Sequence, residues 1–260
     1  MQGSLSFAIR TKRWSKSYYR FMILLVGLQP TLMIPGISGS VSIREWRSHW
    51  MDAQIICLRH AEDERRIWDS SHGTVGNGAP PDPPLTPQGY RQAKVAAHLL
   101  LGKVPQKVFV SEALRSRQTG AIIASYLGVQ IEVVPALAEA SMGRGDREPR
   151  KPGVAADVLR QWIVYGHLSD HLMDGETGHA VALRMTSALY TIAAQCCGSL
   201  AIVVGHVASL TVGISTLCRN GPALWGKPLP HATPFLLTVN SEGWQVRWPD
   251  ASQQSVLPCE

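Results

Sequence analysis

Ala53-Gln54-Ile55-Ile56-Cys57-Leu58-Arg59-His60-Ala61-Glu62 is the stretch that decides the fold of this chain. Its first half is short and almost wholly apolar, which suits a strand buried on both faces of a sheet. A strand that ends in Arg-His brings a cation and a nucleophile together at its C-terminal edge. In open α/β proteins that edge is where ligands bind. About 145 residues further on, Ala201-Ile202-Val203-Val204-Gly205 repeats the device and delivers His206. Two strand-end histidines with an arginine beside one of them point to a pocket for a phosphoryl group.

Between and beyond these runs, strand and helix signals alternate. A polar Gly/Pro-rich loop over 69–84 gives way to Thr86-Pro87, which opens a helix to about Leu101 with Thr as N-cap and Pro at the first helical position. Lys107-Val108-Phe109-Val110 reads as a short buried strand, and Leu114–Leu127 as a helix stopped by Gly128. Val129–Val134 is a third strand. The charged, Gly/Pro-rich segment 138–153 is a loop, and 154–168 is helical in pattern. Glu176–Cys197 forms a long helix with Ala180, Leu183, Ala188, Leu189 and Ile192 on one face. A strand at 200–205, a helix at 207–219 and a final strand pair near 233–239 and 243–248 complete the chain. The expected architecture is α/β: a three-layer α/β/α fold whose mainly parallel sheet carries helices on both faces.

Charge separates an N-terminal arm from this body. Residues 1–50 hold seven of the 25 Lys/Arg and one of the 19 acids, Glu45, which leaves 18 of each sign in 51–260. The formal charge of +6 therefore belongs to the arm, and the body has no net basic charge with which to hold nucleic acid. Arg10, Lys12, Arg13, Lys16 and Arg20, among serines and with no acid before Glu45, are similar to a mitochondrial transit peptide. Phe21–Leu28 is similar to the apolar part of a secretory signal, yet at eight residues it is too short to span a bilayer. A disordered extension, or a true start at Met51, are the alternatives. The expected division is a basic extension at 1–50 and a catalytic domain at 51–260. The domain is expected in the cytoplasm, or in mitochondria if the arm is a transit peptide, without firm membrane association. Cys57, Cys196, Cys197, Cys218 and Cys259 show no CxxC spacing, so free thiols in a reducing compartment are expected.

Arg59-His60-Ala61-Glu62 resembles the Arg-His-Gly-Glu signature of the histidine phosphatase (phosphoglycerate mutase-like) superfamily. Five further stretches agree in order and spacing. Leu85-Thr86-Pro87-Gln88-Gly89-Tyr90-Arg91-Gln92-Ala93 resembles Leu-Thr-x-x-Gly-x-x-Gln-Ala, and Ser111–Thr119 resembles Ser-x-x-x-Arg-Ala-x-Gln-Thr, which makes Arg115 the second phosphate arginine. Leu137-Ala138-Glu139 is similar to the Leu-x-Glu that carries the general acid. Gly175-Glu176-Thr177 is similar to the Gly-Glu-Ser that opens the long helix, and Val203-Val204-Gly205-His206 to the strand that leads to the second histidine. The match spans about 53–240.

The resemblance implies a metal-independent phosphomonoesterase with no cofactor, acting on a small-molecule or protein phosphomonoester. A neutral imidazole at His60 can attack phosphorus and split one displacement into two. Arg59 and Arg115 can hold the non-bridging oxygens, and His206 can supply a further donor to them. Glu139 must arrive protonated to serve the leaving alkoxide. Two departures bear on activity. Val207-Ala208-Ser209-Leu210 resembles the ubiquitin-associated, SH3-containing phosphatase branch, and Asp82-Pro83-Pro84-Leu85-Thr86 does so too. The mutase branch carries Trp-Asn where this chain has Arg65 and Arg66, so hydrolysis is expected before mutase chemistry, with Arg66 as a further substrate contact. The alternatives are a mutase and an inactive phospho-ligand-binding module. Glu62, Gln118 and Thr119 are expected to hold the fold. His167 and His171 have helix-face metal spacing but no third ligand, and Gly221–Pro228 mimics a phosphate loop while lacking its hydroxyl.

Overall fold

Six strands form one sheet in the order β3-β2-β4-β1-β5-β6. The protein is described from a computed structural model, which covers residues 53–64, 82–143, 154–196, 199–218, 229–240 and 243–248. The strands are β1 (Gln54–Arg59), β2 (Pro105–Val110), β3 (Gln130–Val133), β4 (Leu200–Gly205), β5 (Phe235–Asn240) and β6 (Gly243–Arg247). β1 to β4 run parallel to one another, while β5 pairs antiparallel with β1 and β6 antiparallel with β5. Five α-helices connect them: α1 (Pro87–Leu99), α2 (Leu114–Leu127), α3 (Val154–Arg160), α4 (Gly178–Cys196) and α5 (Val207–Leu217). Structure and sequence therefore agree on a mainly parallel sheet.

Side-chain alternation along the central strands splits the core into two layers. Ile56, Leu58, Val108, Val110, Ile202 and Val204 face α1 and α2, where Ala93, Ala96, Ala97 and Ile123 receive them. Ile55, Cys57, Phe109, Ala201 and Val203 face α4 and α5, with Met185, Leu189, Ile192, Leu210 and Ile214. Both faces of the sheet are thus covered, which is why the strands read as continuous apolar runs instead of alternating ones.

The long helix turns part of the expected stripe inward, with Ala180 and Leu183 the exceptions. Val181, Met185, Ala188, Leu189, Ile192 and Cys196 are buried, whereas Ala180 is exposed and Leu183 is 43% exposed. Close packing fixes that rotation: a methyl on Gly178 would strike the Trp162 ring, and one on Gly213 would strike Met185. The helix expected over 154–168 is shorter. α3 passes into a π-helical turn at Gln161–Tyr165 and stops at Gly166, in the left-handed region at φ 71°. Cys57, Cys196 and Cys218 are buried, and Cys57 and Cys218 are free thiols; burial pushes the Cys218 thiol up to about 12, and raises that of Cys57 further, with help from Cys218. The N-terminal arm, the loop over 69–81, residues 144–153, Cys197 and Cys259 lie outside the described residues.

The start of α1 is fastened to the loop after β1. Thr86 accepts from the Gly89 amide through its hydroxyl at 2.9 Å, as an N-cap, and donates to Glu62 Oε1 at 3.0 Å. The Glu62 amide donates to Gln92 Oε1 at 2.9 Å, and the Glu62 carbonyl accepts from the Thr86 amide at 3.1 Å. Gly89 lies so close to that carbonyl that a Cβ would overlap it. The spacing of Thr86, Gly89 and Gln92 is therefore the footprint of Glu62 on the helix. Gly89→Ala should destabilise the protein by about 1–3 kcal/mol through this overlap, although Gly→Ala inside a helix otherwise stabilises. Thermal unfolding of the two proteins checks both sign and size.

Candidate active site

The register Arg59↔Gly205 in the β1–β4 pair puts the next residue of each strand, His60 and His206, side by side at the C-terminal edge. The His60 amide donates to the Gly205 carbonyl at 2.9 Å, and the two imidazole centroids lie 5.1 Å apart. Arg115 enters from the first turn of α2 and is buried between them.

The tautomer of His60 follows from its partners. Nδ1 lies 2.7 Å from the Ala61 carbonyl, which can only accept, so Nδ1 carries the proton. Arg115 Nε, which can only donate, lies 3.3 Å from Nε2. Nε2 therefore presents a lone pair. Burial holds the His60 imidazole well below its ordinary value, and His206, Arg115 and Arg59 push the same way. The ring is a neutral base with its free electron pair turned toward a cation. A second set of bonds fixes the peptide beneath it. The Ala61 amide donates to Thr119 Oγ1 at 3.0 Å, and that hydroxyl donates to the Arg115 carbonyl at 2.7 Å. His60 and Arg115 are joined through side chain and backbone alike.

His206 is fully buried. Its Nδ1 lies 3.3 Å from Arg115 Nη2 and its Nε2 lies 2.7 Å from Ser111 Oγ. Because guanidinium only donates, Nδ1 accepts from Arg115. The Ser111 hydroxyl can donate or accept, so it suits either tautomer when Arg115 turns to an anion. Arg59, half-buried, directs Nη1 to the Leu229 carbonyl at 3.2 Å.

Glu139 is held as a carboxylate. Its oxygens accept from the amides of Ala140 at 2.9 Å, Ser209 at 2.9 Å and Ala208 at 3.2 Å. The last two belong to the first turn of α5, where amides lack helical partners and the helix dipole favours negative charge. Burial raises its pKa, but the neighbouring His206 and the three amides outweigh that and leave it below the ordinary carboxylate value. Arg184 of α4 clamps the segment from behind, donating to the carbonyls of Ala136, Ala138 and Glu139 and to both oxygens of Glu176.

Three residues near the histidines have no counterpart among the expected site residues. Asp63, buried, places Oδ2 at 3.2 Å from Arg115 Nε. Asp82 Oδ1 lies 3.8 Å from Arg115 Nη1, while its carboxylate also caps α2 at the Leu114 amide. His231 stacks edgewise on His60 at 5.4 Å and bonds through Nδ1 to the His60 carbonyl at 2.9 Å. Burial and then Arg59 lower its pKa. Gln118 and Thr119 accept from the amides of Leu85 and Ala61, and Glu62 from the Thr86 hydroxyl, contacts that hold the fold. Arg66 lies outside the described residues. His167 and His171 are engaged separately, with Gln161 and with the Gly175 carbonyl.

Residues 55–251 match the histidine phosphatase superfamily (branch 1). The chain belongs to that superfamily. Among curated relatives, the probable phosphoglycerate mutase GpmB of Yersinia enterocolitica is 28% identical over 170 residues, 65% of this chain and 76% of that protein. The protein of the same name from Photorhabdus laumondii is 28% identical over 63% of this chain and 74% of its own length. Solved structures share the fold. A phosphoserine phosphatase of Entamoeba histolytica superposes with TM-score 0.62 at 17% identity, over 78% of this chain and all of that one. A mycobacterial glucosyl-3-phosphoglycerate phosphatase gives 0.60 at 19% identity, over 76% and 99%. Superfamily membership accounts for the common edge on which the two histidines and Arg115 meet.

The protonation pattern of His60 is open to direct measurement. In an NMR titration its ring should stay neutral as the pH falls through about 6.5, the ordinary imidazole range, with the proton on Nδ1. Titration at the ordinary value would remove the case for a lone pair at Nε2.

Proposed function

We propose that this chain is a metal-independent phosphomonoester hydrolase that works through a phosphohistidine at His60, with Glu139 as general acid and base. The observation that carries the proposal is the His60 tautomer: a neutral, buried Nε2 lone pair aimed at a guanidinium, in a pocket built at a sheet edge. Attack by Nε2 forms the N–P bond as the ester O–P bond breaks, and the leaving alkoxide takes a proton from Glu139. Water then attacks phosphorus, gives its proton to Glu139, and releases phosphate and neutral His60. Arg115 and Arg59 hold the non-bridging oxygens with donors that stay charged at any working pH. That positive charge does the neutralising for which other phosphatases use metal. Donation from His206 to the same oxygens needs Arg115 to leave Nδ1 and the ring to exchange its proton with Ser111.

Glu139 starts as a carboxylate, so it must take up its proton with the substrate. A phosphate dianion beside it raises its pKa through like-charge repulsion. The probable-mutase names of the curated relatives favour a second reading, return of the phosphoryl group to an organic acceptor. Arg65 and Arg66, where the mutase branch carries Trp-Asn, speak for hydrolysis. Assay of 3-phosphoglycerate separates the two, since a mutase gives the 2-isomer and a hydrolase gives inorganic phosphate. The substrate class remains a small-molecule or protein phosphomonoester.

His60→Ala should abolish turnover. Wild-type enzyme quenched in alkaline denaturant during turnover of a labelled substrate should carry label on His60, and full activity of the variant would end the covalent mechanism. Activity in both steps should persist in excess chelator.

Glu139→Gln should slow esters with poor leaving groups by about 10²–10⁴-fold. A p-nitrophenyl ester, which needs no protonation on departure, should lose much less. Equal losses for alkyl and nitrophenyl esters would move the acid to another residue.

A further inference from the structure

Arg115 faces negative charge from the protein itself. Asp63 Oδ2 lies 3.2 Å from its Nε and Asp82 Oδ1 lies 3.8 Å from its Nη1, on a guanidinium with 7% of its side chain exposed. The same Nε reaches His60 Nε2 at 3.3 Å, and Nη2 faces His206 Nδ1 at 3.3 Å. All three nitrogens of Arg115 therefore point at groups of the pocket itself. Asp63 is the deeper of the two acids, with a side chain 9% exposed against 43% for Asp82.

We infer that Asp63 is a specificity-determining residue that competes with the phosphoryl group for Arg115 and sets a low affinity of the pocket for inorganic phosphate. The inference rests on the hydrolase reading above. A buried cation without a counter-charge is costly, so a carboxylate in contact stabilises the empty protein. The same carboxylate opposes any anion that pairs with that guanidinium, since like charges a few ångströms apart repel strongly where water is scarce. The opposition grows with the charge of the ligand. It acts on the ester and on the product alike, and it is greatest on phosphate itself, which has no organic group whose contacts compensate. Asp63 thereby speeds the departure of the product. Asp82, more exposed and farther away, is screened and acts more weakly.

The test is equilibrium binding of inorganic phosphate to the full chain by titration calorimetry, with wild type, Asp63→Asn and Asp82→Asn. Asp63→Asn keeps shape and an acceptor while removing the charge. Its Kd for phosphate should fall about tenfold, the size of effect that loss of one close like charge produces at a partly screened site. Asp82→Asn should change Kd by less than about threefold. Thermal unfolding without ligand should show Asp63→Asn to be less stable than wild type, and phosphate should raise its Tm more than it raises that of wild type. If Asp63→Asn does not fold, Asp63→Ser serves in its place, with the same tightening expected. Weaker or unchanged phosphate binding in a folded, uncharged variant would overturn the inference and leave Asp63 as a residue that only orients Arg115. Wild-type protein that releases no inorganic phosphate from any phosphomonoester would instead overturn the hydrolase reading, and this inference with it.

Discussion

Parallel pairing of β1 with β4 is the constraint on which the rest depends. The two segments are about 145 residues apart in the chain, and only their register makes His60 and His206 neighbours. A slip of one residue would turn Ile55 and Cys57 to the opposite helix layer and separate the two rings. Both faces of these strands are packed against helices, so the pairing cannot drift without burying the wrong side chains. The precision of the pocket is in this sense a by-product of the core. Sheet alternation fixes which side chains point at which helices, and the strand ends then have no choice about where the histidines emerge.

The second controlling element is the handling of buried charge. Arg115 is a cation with few routes to solvent, set between two imidazoles and two carboxylates. Its presence keeps His60 neutral, and burial does so even more strongly. The neutral imidazole in turn offers the lone pair that the guanidinium meets. Glu139 shows the opposite balance. Burial alone would protonate it, yet His206 and three backbone amides keep it ionised. Two titratable groups at one pocket are thus held away from their ordinary behaviour by different agents, a pattern common where proton transfer is needed.

Residues that act through local spacing were legible in the sequence. Thr86, Gly89 and Gln92 recur at intervals of three because one turn of α1 sits on Glu62, and Gly128 ends α2 where the periodicity ends. Arg59, His60, Arg115 and His206 could be named because each stands at the end of a strand or the start of a helix within a recognisable motif. What could not be read depends on contacts across the fold. His231 meets the His60 carbonyl from 171 positions away with no motif to announce it, and Ser111, although it opens a motif, meets His206 from 95 positions away. The inward stripe of α4 departs from the expected one only at Ala180 and Leu183, where apolar residues also occupy the neighbouring stripe of Val181 and Met185. Gly178 against Trp162 and Gly213 against Met185 decide between them. Asp63 stands in plain view beside the signature, but its meeting with Arg115 requires α2 to dock against the loop after β1.

Two of the three amides that hold Glu139 belong to the helix that His206 begins as its N-cap residue. A protonated carboxyl is a poorer acceptor than a carboxylate, so the charge of Glu139 and the tightness of the first turn of α5 form one equilibrium. His60 is mounted on a strand locked in the middle of a sheet. His206 is mounted on a joint whose fastening is itself titratable. In the proposed reaction a proton taken up at Glu139 would weaken the hydrogen bonds at the base of the second imidazole and its loss would restore them, while the base of the first lies in the sheet.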